Sequence, residues 1–148
     1  MTERLASIQT TVQIDAPQSH VWNVLTEPDY VRQWLGCMRY DNALGHVFYM
    51  QQDATKRAND DISGATHCKI TALDKPHRFA FTWYLPGTPE TLVVIELNTV
   101  GDGTTMAVLT HSGWEKFEPE AIRSIREMLE GGWKSAVLPN LKRVSEQE

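Results

Sequence analysis

No stretch of this sequence approaches the roughly 20 consecutive apolar residues of a membrane span, and the opening MTERLASIQTT has no apolar core of the signal-peptide kind. A cytoplasmic location is therefore expected, with no membrane partner. Basic clusters are also missing. Lys142-Arg143 is the nearest approach to one, and a formal charge of -5 over 148 residues argues against nucleic acid as a partner. Cysteine is scarce: Cys37 and Cys68 lie far apart with no CxxC pair, so free thiols are expected in place of a disulfide framework. The five histidines, His20, His46, His67, His77 and His111, show no HxH, HExxH or Cys/His spacing, so no metal or cofactor is expected. Nucleophile elbow, P-loop and dinucleotide fingerprint are absent as well. The length suits one domain over residues 1–148, able to bury about two-thirds of its unfolded surface around a single core.

The strongest positive signal runs from Phe117 to Val144. Ile122, Ile125, Leu129, Trp133, Val137, Leu141 and Val144 recur three or four apart, while Arg123, Glu127, Glu130, Lys134 and Lys142 hold the other side. This is the pattern of a long helix lying on a surface. Pro119 suits its first position, and Glu118 and Glu120 complement the positive end of its dipole. Gly131 and Gly132 are costly mid-helix, each by roughly 1 kcal/mol relative to alanine. Gly132 falls at the edge of the apolar stripe, where a missing side chain leaves either close packing or free space beneath, and Gly131 points outward. Pro139 is expected to kink or end the helix by breaking the bond to the Ser135 carbonyl, with Asn140 rotated off the apolar face.

Upstream, Leu5 to Ile14 alternate as a strand with Ile8, Thr10, Val12 and Ile14 on one face. Gln18 to Leu25 form a short helix, and Thr26-Glu27-Pro28-Asp29 has capping-box spacing for a second one running through Trp34 to Gly36. Strand patterns then dominate. Val47 to Gln52 come first, Asp53 to Ser63 read as a polar, mobile loop, and Thr66, Cys68, Ile70 and Ala72 share a strand face. Phe79, Phe81 and Trp83 stack on the next strand, Leu92 to Leu97 form another, and Gly101-Asp102-Gly103 turn into Thr104 to Thr110. On that last strand Met106, Val108 and Thr110 are placed inward, although Ala107 and Leu109 make the other register nearly as good. Short turns between successive strands imply an antiparallel meander. The expected fold class is α+β: a curved six-stranded antiparallel sheet with two short helices, and the long C-terminal helix across its concave face.

This order resembles the helix-grip fold of the START-like (SRPBCC) superfamily, which includes the birch-pollen allergen. Ile14-Asp15-Ala16-Pro17, Trp34-Leu35-Gly36, Phe79-Ala80-Phe81-Thr82-Trp83, Thr110-His111-Ser112-Gly113-Trp114 and Gly132-Trp133 together resemble the family of homologues of the activator of the ninety-kilodalton heat-shock-protein ATPase. The resemblance implies a single START-like domain. The chaperone activator proper carries a further N-terminal domain for which 148 residues leave no room, so a chaperone partner is not implied. A fold of this kind hosts many functions, so the site must decide.

The expected cavity is lined from the sheet by Phe48, Met50, Thr66, Cys68, Ile70, Phe81, Trp83, Ile95, Met106, Val108 and Thr110. The helix adds Ile125, Met128, Gly132 and Ala136, with Trp34 near the mouth. Aromatic and methionine side chains there suit a small hydrophobic or aromatic ligand. The competing reading of the same residues is a filled core. His111 is the one candidate for acid-base chemistry, if the protein is a cyclase-like or hydratase-like enzyme; otherwise it orders the His111-Ser112-Gly113 turn. A third reading is a chaperone-associated stress-response interaction module. The sequence leaves monomer and homodimer both open.

Overall fold

The computed structural model describes residues 5–147. Six strands, β1 (Ile8–Ile14), β2 (Val47–Met50), β3 (Thr66–Asp74), β4 (Arg78–Trp83), β5 (Thr91–Gly101) and β6 (Thr104–Ser112), form one antiparallel sheet in the order β1-β6-β5-β4-β3-β2. Helices α1 (Gln18–Thr26) and α2 (Pro28–Trp34) lie between β1 and β2 in the chain, and the long helix follows β6.

Directly paired residues share a face of a sheet, so the pairing identifies the inner one. Ile8 lies opposite His111, His111 opposite Val93, Val93 opposite Phe81 and Phe81 opposite Ile70. All five are buried, and with Phe48, Phe79, Ile95 and Leu109 they make the core. On β6 this register corrects the expected one. Thr105, Ala107, Leu109 and His111 point inward, and Met106, Val108 and Thr110 lie on the outer face, half-buried. A one-residue slip exchanges the faces, and pairing with Ile8 and Ile95 favours the register that buries Leu109. A bulge between Ile70 and Ala72 likewise turns Ala72 away, so that Leu73 lies opposite Phe79.

The C-terminal helix comprises α4 (Pro119–Gly132), a π turn (Trp133–Val137) and α5 (Leu138–Glu146), with helical dihedrals at both junctions. Pro139 therefore does not end it. The Leu138 N–H donates to the carbonyl of Trp133, five residues back, and this widened turn makes room for a proline ring that would press on the Ser135 carbonyl in a regular α turn. Beyond it, Leu138, Leu141 and Val144 are buried, with α5 packing on β1, α1 and α2. Asn140 is half-buried.

Two local expectations also change. Thr26 does not cap α2; its hydroxyl donates to the Trp22 carbonyl at 2.9 Å, and α2 opens on Pro28 without a side-chain cap. The polar segment after β2 contains a short helix, α3 (Ala54–Ala58), whose capping Asp53 carboxylate accepts the Lys56 N–H at 3.0 Å. The buried Gln51 amide closes this excursion by donating to the carbonyls of Asp61 and Ser63, both at 3.0 Å.

Candidate functional site

The connection from β6 to the helix builds the inner wall of the site. Gly113 has φ 104°, and a Cβ there would stand 3.1 Å from the Thr91 Cα, so glycine alone permits this approach. The close turn holds Thr91 against His111, with 2.7 Å between Thr91 Oγ1 and His111 Nε2. On the other side of the ring, Trp133 Nε1–H donates to His111 Nδ1 at 3.1 Å. An indole nitrogen only donates, so Nδ1 is unprotonated and Nε2 carries the proton. Nε2–H then donates to Thr91 Oγ1, whose hydroxyl donates to the Trp83 carbonyl at 2.7 Å. Trp114 Nε1–H completes the network by donating to the His111 carbonyl at 2.9 Å.

The ring of His111 is wholly buried, with the Trp114 and Trp83 centroids 4.7 and 5.7 Å away. Burial first, and the positive charge of Arg126 second, lower its pKa from 6.5 to about 3. A neutral imidazole with both nitrogens engaged orders its surroundings and has no free lone pair for proton transfer. Of the two roles read for His111, the geometry favours the ordering one. Among the described residues no group of His, Cys, Asp or Glu is arranged to hold a metal ion. Burial pushes the Cys37 thiol up to about 12 and raises that of Cys68, which keeps both in the unreactive thiol form.

Next to this network an apolar cleft of about 270 Å³ opens between the β2 edge and the helix. Trp133 lies at its inner end, its ring 5.3 Å from that of Trp83, and it fills part of the space expected above Phe81 and Trp83. The opening is consequently a side cleft in place of an enclosed void. Met50 and Gln52 form one wall, and Met128, Gly132, Ala136 and Val137 the other. A Cβ built on Gly132 would meet nothing within 4 Å, so the missing side chain faces open space. A second cleft of about 160 Å³ lies beyond Trp83 and Leu129, which line both, and reaches Thr66, Tyr84, Leu85 and Ile125.

The residues expected at the cavity thus divide. Met50, Trp83, Met128, Gly132 and Ala136 come together at the first cleft, and Thr66 and Ile125 at the second. Phe48, Cys68, Ile70, Phe81 and Ile95 are core, at most 1% exposed. Trp34 is not near the mouth; its buried indole N–H donates to the Val24 carbonyl at 2.8 Å, between the two short helices. Met106, Val108 and Thr110 face away from the helix, for the register reason given above. Leu129, Trp133 and Val137 were visible as stripe residues without being assigned to the site, whereas Gln52, a polar residue closing an apolar run, carried no signal.

The sequence model for the family described as Activator of Hsp90 ATPase homolog 1-like protein matches residues 15–146. The chain belongs to that family. Comparison with curated proteins finds no match. Among solved structures, protein BH1534 of Bacillus halodurans superposes with a TM-score of 0.72 at 23% identity, over 98% of this chain and 100% of that one. MLL2253 of Mesorhizobium loti gives 0.70 at 23% identity, over 95% and 94%. PFC0360w of Plasmodium falciparum, described as an HSP90 activator, gives 0.68 at 19% identity, over 94% and 95%. Likeness at these identities establishes the shared helix-grip fold.

Proposed function

We propose that this member of the family binds a small apolar or aromatic molecule in the side cleft under α4. The observation that carries the reading is the open space at Gly132, bounded by Trp83, Trp133 and two methionines. Flat aromatic walls supply contact area, and the exposed Met128 adapts to the shape of an occupant. The two clefts that share Trp83 and Leu129 together reach the range of about 300–1,000 Å³ typical of small-molecule sites. Catalysis receives less support. No carboxylate, histidine or lysine lines either cleft, and Tyr84 is the one titratable side chain there. His111, the group that would do acid-base work, is sealed behind Trp133.

The test uses the neutral fluorescent probe N-phenyl-1-naphthylamine. The wild-type protein is expected to bind it saturably at one site. Gly132→Leu, which fills the cleft from a position with room for a side chain, is expected to weaken binding at least about tenfold while leaving the far-ultraviolet circular dichroism unchanged. Equal binding by the two proteins would remove the cleft as the site.

A further inference from the structure

β1 is an outer strand of the sheet, and its free edge runs beside the C-terminal helix. Lys142 Nζ donates to the Gln13 carbonyl at 3.0 Å, and Arg126 Nη2 to the Ser7 carbonyl at 3.3 Å. The Asp15 N–H donates to the Glu146 carboxylate at 2.8 Å. Backbone groups in an antiparallel strand alternate between its two neighbours, so the odd-numbered residues of β1 turn theirs away from β6. Gln9 and Thr11 are the odd residues left between these clasps, and among the described residues no main-chain partner takes up their outward N–H and C=O groups.

That window faces a groove of about 620 Å³, with Gln9, Thr10 and Thr11 on one side and Glu127, Glu130, Gly131 and Lys134 on the other. The groove reaches the strand because Gly131 has no side chain; a Cβ there would meet nothing within 4 Å. The strand itself, IQTTVQI, has no charge, proline or bulge, the usual devices that protect an edge from pairing.

We propose that the protein forms a two-fold symmetric dimer by antiparallel pairing of β1 with β1 of a second copy. The patch is self-complementary in the way such an interface requires. With the axis beside Thr10, Gln9 of each copy faces Thr11 of the other, and four main-chain hydrogen bonds fill the window. The same register sets Ser7 opposite Gln13 of the other copy, so Arg126 and Lys142 swing out from these carbonyls when the strands pair. The helix runs along β1 from Arg126 near Ser7 to Lys142 near Gln13, so the same axis sets two helices antiparallel. Glu127 of one copy then approaches Lys134 of the other. Both are exposed, and among the described residues neither takes part in an ion pair. A second copy satisfies this arrangement of opposite charges about one axis, which an unrelated extended peptide has no reason to match. The ligand cleft opens on the other flank of the helix, at Met128, Gly132 and Ala136, and stays free in the dimer.

Sedimentation velocity across a concentration series tests the proposal. Wild-type protein is expected to shift from monomer to dimer. Thr11→Pro removes an edge-facing N–H and leaves the bonds to β6 intact, so it should raise the dissociation constant at least about tenfold. Glu127→Lys should weaken association by about the same factor, and the exchange Glu127→Lys with Lys134→Glu should restore it. The exchange decides the matter even if Thr11→Pro disturbs folding. Wild-type protein that stays monomeric at roughly 200 μM, a dissociation constant in the weak range, would overturn the proposal. So would a dimer indifferent to Thr11→Pro, or a charge exchange that fails to rescue. Monomeric protein that instead takes up an extended peptide at this edge would replace the second copy with a different partner.

Discussion

Leu138, Leu141 and Val144, in the second half of the C-terminal helix, are at most 2% exposed, whereas Ile125 and Met128 in the first half are 45% and 63% exposed. Both halves carry the same apolar periodicity, so periodicity does not explain the difference. The second half packs against α1, α2 and β1, and the buried side chains of the short helices, among them Val21, Leu25, Val31 and Trp34, close over it. The first half touches the sheet at β1, and its other flank stands across the cleft from Met50 and Gln52 at the end of β2. Arg126 holds that half by its flank, donating to the Ala6 carbonyl at 2.7 Å, and Ile122 packs beneath its start. One helix is therefore sealed core at one end and the roof of a cleft at the other. The π turn and Trp133 lie at the division.

Truncation separates the halves most sharply. Leu141→Ala deletes a fully buried side chain and is expected to cost about 2–5 kcal/mol in urea unfolding. Met128→Ala, at a position already exposed, should stay within about 0.5 kcal/mol. Similar losses at the two positions would mean that the first half is packed after all.

Acid should strain the division itself. His111 has its folded pKa lowered to about 3 from 6.5, so below pH 6.5 the unfolded chain binds a proton that the folded chain refuses. This contribution to stability is present in full above pH 6.5 and is lost as the pH falls towards 3. Between pH 7 and 5, above the range where carboxylates titrate, the loss should reach about 2 kcal/mol. Urea midpoints measured across that interval should fall for the wild-type protein and hold nearly level for His111→Gln. A level wild-type profile would show that the imidazole is accessible to protons, contrary to its place behind Trp133.

Much of this was legible in the residues. The stripe from Ile122 to Val144 identified the helix, and the row Phe79, Phe81, Trp83 identified the inner face, because each pattern reports a burial that one element imposes on its own sequence. What could not be read depended on a second element. Ala107 and Leu109 alternate with Met106 and Val108 almost symmetrically, and pairing with Ile8 and Ile95 breaks the tie. The continuity of the helix past Pro139 required a π turn, which leaves no mark in hydrophobic spacing. Gly132 was legible as a gap, but the gap's position depended on Trp133, whose indole turns inward to reach His111 and so pushes the free volume to the side. The catalyst reading of His111 weakened for a related reason. The sequence showed a histidine near a mouth, and three tryptophans, Trp83, Trp114 and Trp133, enclose it from different parts of the chain.

The smallest effect is expected at Gly132, and its sign matters more than its size. The residue has φ −64°, an ordinary helical value, and nothing stands within 4 Å of the Cβ it lacks. Alanine there should therefore raise stability by about 0.5–1 kcal/mol, because it removes freedom from the unfolded chain and meets no neighbour in the folded one. In the packed half of the helix a new methyl group would have to displace atoms, and overpacking of that kind costs stability. A gain at Gly132, seen as a higher urea midpoint at unchanged slope, would mean that the helix carries this glycine at a cost in stability and stands clear of the sheet at that point. A loss would mean that the roof sits on atoms, and the contrast between the two halves of the helix would then end before the cleft begins.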